Sequence, residues 1–171
     1  MVRLLIICIC DRPMHLYAQQ IDTESVTPVR VLIWDEQQPE QKEAYSDFLG
    51  EVLAEHLKQF DEFIVKTANP DDPEQGLSAA ALNNTDVLVW WGHRRHKEIT
   101  PETGQEIVRR VQAGELAFIA LHSAHFATPF MEAMAARTRQ DVERDYPQAA
   151  WSNVEVEYLP YQRKANREDK T

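Results

Sequence analysis

What this chain can fold into is constrained first by its strands. VRVLIW (Val29 to Trp34), DVLVWW (Asp86 to Trp91) and LAFIAL (Leu116 to Leu121) are apolar almost without interruption. A strand with one wet face alternates apolar and polar residues, whereas a strand that is apolar throughout needs cover on both faces. Phe63-Ile64-Val65 adds a shorter fourth run. Between these runs the apolar period changes to that of helices. Gln41 to Gln59 places Tyr45, Phe48, Leu49, Val52, Leu53 and Leu57 on one face. His56 lies near that stripe and reads as a structural or surface histidine. Leu77 to Asn84 is a short helix. Thr100-Pro101-Glu102 opens another, with Thr100 as N-cap and proline at the first helical position. Ile107, Val108 and Val111 should face its core side, and Gly114 should end it. A last helix, starting near Pro129, carries Phe126, Phe130, Met131 and Met134. Strand and helix alternate four times. That order predicts an α/β fold, a mainly parallel sheet between two helical layers.

The domain implied by this pattern spans residues 29–160. Beyond about Arg137 the helical period fades, and VEVEYL (Val154 to Leu159) alternates like a half-exposed strand. Residues 161–171 form a charged tail. Residues 1–28 read as separate from the fold. MVRLLIICIC reads either as a short secretory signal, with Leu16-Tyr17-Ala18 as its cleavage site, or as a start foreign to the native chain. Asp11 and Arg12 interrupt the apolar run, and Leu16 is bulky for a position three places from a cut. A cytoplasmic location is therefore preferred to export. The run is too short to span a bilayer as a helix.

The 171 residues suffice for one domain with a core. Net charge is −10, and no Lys or Arg stripe runs along any element. A nucleic-acid partner needs such a basic face and is not expected. Both cysteines, Cys8 and Cys10, fall in the first ten residues. They are too close in sequence for an ordinary mutual disulfide. Cysteine-nucleophile chemistry in the body of the chain is excluded.

Open parallel sheets bind ligands beyond the carboxyl ends of their strands. The first strand here ends in Trp34-Asp35-Glu36, the third in Gly92-His93-Arg94-Arg95-His96, and the fourth in His122-Ser123-Ala124-His125. A strand order of two-one-three-four would make these ends neighbours. Glu36, His93, His96, His122 and His125 would then reach one pocket. Gly92 suits a sharp turn that brings backbone close to a ligand. Histidines with a carboxylate suit zinc or a related divalent ion, which gives His93, His96, His122 and His125 as candidate ligands. The alternative is that they cap backbone groups or line a sugar pocket, with Gly92, His93 and Trp91 contacting the ligand. Trp90 and Trp91 face opposite sides of their strand, so at least one belongs to the core.

The fourth strand end allows a sharper test. A nucleophile elbow needs small residues two before and two after its central residue. Centred on Ser123, those flanks are Leu121 and His125; centred on His122, they are Ala120 and Ala124. His122 is the residue such a turn would present. Ser123 then orients a neighbour or caps the helix, and a serine hydrolase using Ser123 is the weaker reading.

Taken together, WDE at Trp34–Glu36, DVLVWWGHRRHKEI at Asp86–Ile99 and LHSAHFATPF at Leu121–Phe130 resemble the trehalose-utilisation (ThuA-like) family. The likeness runs from about Val29 to Arg137. It implies a flavodoxin-like three-layer sandwich of the class I glutamine amidotransferase type, without amidotransferase activity, because no cysteine stands at the elbow. It also implies carbohydrate metabolism, with trehalose-derived or other keto-glycosides as substrates. Relatives carry a further His-Glu soon after the first strand, where this chain has QQPEQKEAY, and they continue for several more strands. The chain therefore reads as a C-terminally shortened member. Three functions compete. One is an enzyme in which Glu36 or His122 moves a proton beside a carbonyl while histidines hold a divalent metal. The second is a non-catalytic sugar-binding or interaction module. The third is the serine hydrolase.

Overall fold

The computed structural model describes residues 27–147 apart from His93 and Ser123, and for His96 the backbone alone. The segments read from sequence as an N-terminal extension, a strand at Val154–Leu159 and a charged tail lie outside the described residues. Four parallel strands, β1 (Val29–Asp35), β2 (Phe63–Ala68), β3 (Val87–Trp91) and β4 (Ala117–Ala120), form one sheet in the order β2-β1-β3-β4. This is the arrangement that brings the ends of β1, β3 and β4 side by side. The helices are α1 (Gln41–Ala44), α2 (Leu49–Leu57), α3 (Ala79–Asn83), α4 (Pro101–Gln112) and α5 (Thr128–Asp145). Three layers result, a flavodoxin-like sandwich. None of the described helices is long and apolar enough to cross a membrane.

The alternation of side chains along a strand divides the core into two. Leu32 and Trp34 of β1 and Leu88 and Trp90 of β3 pack with Leu82 of α3 and Ile107 of α4, and Phe130 of α5 closes over them. On the opposite face Val31, Ile33 and Val89 pack with Ala54, Leu53 and Leu57 of α2. Burying each large apolar side chain contributes about 1.5–3 kcal/mol relative to leaving it exposed. Trp34 and Trp90 are register partners on adjacent strands. Their rings stack at 3.9 Å between centroids, tilted by only 14°. Cover on the α2 side, among the described residues, thins at β4, where Ile119 stays 47% exposed.

The local signals at α4 hold. Thr100 Oγ1 accepts the N–H of Thr103, Pro101 occupies the first turn, and Gly114 adopts φ +73° just past the end. Ile107 and Val108 are buried, but Val111 is exposed. The stretch expected to be one helix from Gln41 to Gln59 is instead two, broken at residues 45–48. Tyr45, expected on the apolar face, points to solvent. The break has a physical cause. The free N–H groups of α2 need acceptors, and two distant side chains supply them. Asp35 Oδ2 accepts from Gly50 N–H at 2.7 Å, and Gln41 Oε1 from Leu49 N–H at 2.7 Å. Continuing the helix through this point would bury those acceptors unused. The last helix also differs from expectation. It runs on to Asp145, Phe126 sits before it in an exposed 3-10 turn (Ala124–Phe126), and Met131 and Met134 are exposed.

At the opposite edge of the sheet, Arg30 locks the start of β3 to β1. Its Nε and backbone N–H both donate to Asp86 Oδ2, at 3.0 and 2.8 Å, and Nη2 donates to Oδ1. The guanidinium holds the Asp86 carboxyl down from 3.8 to about 2. A carboxyl depressed on folding stabilises the native state above its unfolded value and loses that contribution as pH falls through the folded one. Wild type should therefore exceed Asp86→Asn in unfolding free energy at pH 5. The gap should close between about pH 4 and 2, as read from urea midpoints along a pH series.

Candidate functional site

The last residue of β1, Asp35, and the residue just after it, Glu36, are both buried acids, and alternation sends them to opposite faces. Asp35, 2% exposed, turns to the α2 side. It takes the N–H of Gly50, the N–H of Gln37 (2.8 Å) and Gln41 Nε2 (2.8 Å). Gly50 is required there, because a Cβ would lie 2.8 Å from Asp35 Cβ. Asp35 is thus the device that starts α2.

Glu36, also 2% exposed, turns to the neighbouring strand end. Its Oε2 accepts the N–H of Arg94 at 2.9 Å and Gln38 Nε2 at 2.8 Å; its Oε1 accepts the N–H of Arg95 at 2.9 Å. A buried carboxylate without a cation is costly unless its oxygens are met by donors, and here three donors meet them. The carboxylate lies directly against Gly92, where an added Cβ would fall 2.7 Å from Oε1 and nearer still to Cγ. Gly92 is needed because the Glu36 side chain fills the space a side chain would take. Its other property, expected from sequence, was close approach to a ligand; the approach the structure shows is to Glu36.

The turn after β3 is held further by the loop after β2. Arg95 forms a fork with Glu98 (Nε–Oε1 2.8 Å, Nη2–Oε2 2.7 Å) and a second with Asp71 (Nη1–Oδ2 3.0 Å, Nη2–Oδ1 2.7 Å). The guanidinium holds both carboxyls below the usual carboxylate range. Gln75 adds a second tie. Its Nε2 donates to Glu98 O at 2.9 Å, and its own carbonyl accepts Trp34 Nε1 at 2.9 Å. To reach both, the chain passes through three consecutive left-handed residues, Glu74 (φ 51°), Gln75 (φ 56°) and Gly76 (φ 68°). Only the glycine adopts that conformation without strain.

Adjacent strands stand about 4.8 Å apart, so β4 ends roughly 10 Å from β1 along the same edge. There the chain turns at His122, which has φ +26°, a left-handed value that non-glycine residues rarely adopt. Leu121 N–H donates to Trp90 O, and Ala124 N–H closes the turn on Leu121 O at 2.8 Å. Ala124, one of the small flanks, is fully buried. His122 and His125 are exposed, and the His125 ring lies against Phe126. Trp91 is half-buried on the α2 side, in register with Asp35, and Trp90 belongs wholly to the core.

The candidate residues thus fall into two groups. Glu36 and Gly92 meet in one packed unit at the ends of β1 and β3, and Trp91 lies on the other face. His122 is presented by the turn at β4. His93 and Ser123 lie outside the described residues, as does the side chain of His96. Among the described residues no three His, Cys, Asp or Glu side chains gather closely enough to hold a metal ion. Sequence reading assigned no role to Asp71, Gln75, Gln38, Gln41 and Arg95; the ties of Arg95 to Asp71 and of Gln75 to Glu98 join different loops and leave no trace in periodicity or turn signals.

A family model described as ThuA, trehalose utilisation, matches residues 30–166 of the chain. No curated protein matches it closely.

The contact between Glu36 and Gly92 predicts coupled energetics. Gly92→Ala should cost about 1–3 kcal/mol by overpacking, and Glu36→Ala a similar amount by leaving two N–H groups without their acceptor. In the double variant the alanine Cβ enters space the carboxylate has vacated, so urea unfolding should give less than the sum of the single losses. Strict additivity would show that the two positions do not compete for the same space.

Proposed function

The chain belongs to the trehalose-utilisation (ThuA) family, and we propose that it acts on a carbohydrate, an oxidised disaccharide or other keto-glycoside, at the carboxyl edge of its sheet. The observation that carries this reading is the left-handed turn at His122. Such a turn places one exposed side chain at the head of β4, on the edge where β1 and β3 also end. Imidazole exchanges a proton near neutral pH, as abstraction next to a sugar carbonyl requires. His122 is the acid/base group in this reading. Glu36 has both oxygens engaged by Arg94, Arg95 and Gln38, and so acts by shaping the site rather than by taking the proton.

The histidines also fit a divalent ion such as zinc in donor chemistry. His93, His96, His122 and His125 would supply the ligands, and Glu36 is not among them. The ion, when bound, would polarise the carbonyl oxygen of the substrate. His93 and Gly92 border the ligand in the same reading, while Trp91, in register with Asp35, stands on the α2 face away from it. The turn is centred on His122, which favours proton transfer over acyl-enzyme chemistry at Ser123.

The test compares wild type with His122→Ala on a 3-keto-disaccharide. Turnover should fall about 10²–10⁴-fold, and Tm should stay within about 2 °C, since an exposed side chain carries little packing energy. Unchanged turnover would remove His122 from the chemistry. Thermal stabilisation by the sugar with no turnover in wild type would identify a sugar-binding module instead. Covalent labelling by a fluorophosphonate, lost in Ser123→Ala, would point to the hydrolase. Full activity after chelation has removed all metal would eliminate the ion.

A further inference from the structure

Arg94 and Arg95 sit side by side between two histidines, yet the structure uses them differently. Arg94 extends outward, its side chain 58% exposed, and pairs with Glu40 on the surface. Arg95 is half as exposed, 29%, and turns inward along the loop after β2. Three acids from three segments converge on this one residue. Glu36 from the end of β1 takes its N–H, Asp71 from the loop after β2 takes one side of its guanidinium, and Glu98 from the following 3-10 turn takes the other. A lone exposed ion pair adds little to stability. A shared guanidinium with four bonds of 2.7–3.0 Å instead fixes direction. A planar fork meets each of two carboxylates with paired bonds in fixed directions; an ammonium on a flexible stem supplies the charge and donors without that geometry.

We propose that Arg95 is a positioning residue for the turn after β3, fastening residues 94, 95 and 98 to the loop after β2 through Asp71. The two loops then form one wall of the site, held in place by a side chain that itself touches no ligand. Gln75 braces the same wall from Trp34 to Glu98. This role takes the histidine segment to be part of the site proposed above, but its test reads the loop itself. Arg94 is the internal control, since its loss removes the same charge from the same turn.

The experiment uses the whole chain and four variants, Arg95→Ala, Arg95→Lys, Asp71→Asn and Arg94→Ala. Amide hydrogen exchange at residues 94 and 95 should quicken at least tenfold in both Arg95 variants and less in Asp71→Asn. It should be unchanged in Arg94→Ala. The imidazole nitrogen resonances of His93 and His96 should shift in the Arg95 variants, less in Asp71→Asn, and not in Arg94→Ala. Failure of lysine to restore either signal would mark the fork geometry as the requirement. Wild-type exchange and wild-type imidazole signals in Arg95→Lys would overturn the proposal, as would a uniform quickening across all four strands, which reports general destabilisation. If Arg95→Ala does not fold, Arg95→Lys and Asp71→Asn decide. A 3-keto-disaccharide that binds wild type should bind the Arg95 variants at least tenfold more weakly. If it binds none of the proteins, the carbohydrate reading falls, while exchange and imidazole signals still settle the role of Arg95.

Discussion

A carboxylate buried at the end of β1 needs donors, and Glu36 finds them in the backbone of a different strand's exit loop. Much of the site follows from that requirement. The N–H groups of Arg94 and Arg95 can reach Glu36 only if the chain leaves β3 in a tight turn over it, and the turn clears the carboxylate only with glycine at position 92. Once the turn is set, Arg95 points at the loop after β2. Its neighbour Asp35 solves the mirror-image problem on the other face, where it supplies the acceptor for α2. Two consecutive acids thus organise the two sides of the sheet, because alternation along a strand sends them apart.

The ends of β1 and β3 are consequently the rigid part of the edge, cross-tied by Glu36, Arg95 and Gln75. The end of β4 is a different construction. There the chain turns at His122 in a left-handed conformation, with Ala124 buried in the turn.

How much of this could be read from residues alone depended on where each residue's partner lies. β1 was legible because Val29 to Trp34 is apolar on both faces, whereas the order of the strands stood only as a condition, since being parallel does not fix which strands are neighbours. The turn at His122 was legible because a sharp turn leaves a local trace, the small flanks Ala120 and Ala124. The break between α1 and α2 was not, since Tyr45 to Leu57 keeps a helical period and the interruption comes from Asp35, many residues upstream. Val111, Met131 and Met134 have the right spacing for a core, but no described element reaches over them. The left-handed passage through Glu74 and Gln75 carries no glycine at either residue, only at Gly76 after them. The tie between Asp71 and Arg95 spans two loops whose proximity is a property of the assembled sheet.

The pair of indoles beneath this edge has an optical consequence. Trp34 and Trp90 are held nearly parallel at 3.9 Å, close enough for their ultraviolet transitions to couple. Each ring comes from a different strand, and the strands meet only through a long-range parallel pairing. The coupled signal in circular dichroism therefore exists only once β1 and β3 have found each other in register. The molecule carries its own reporter of the folding step that also brings Glu36 to Gly92.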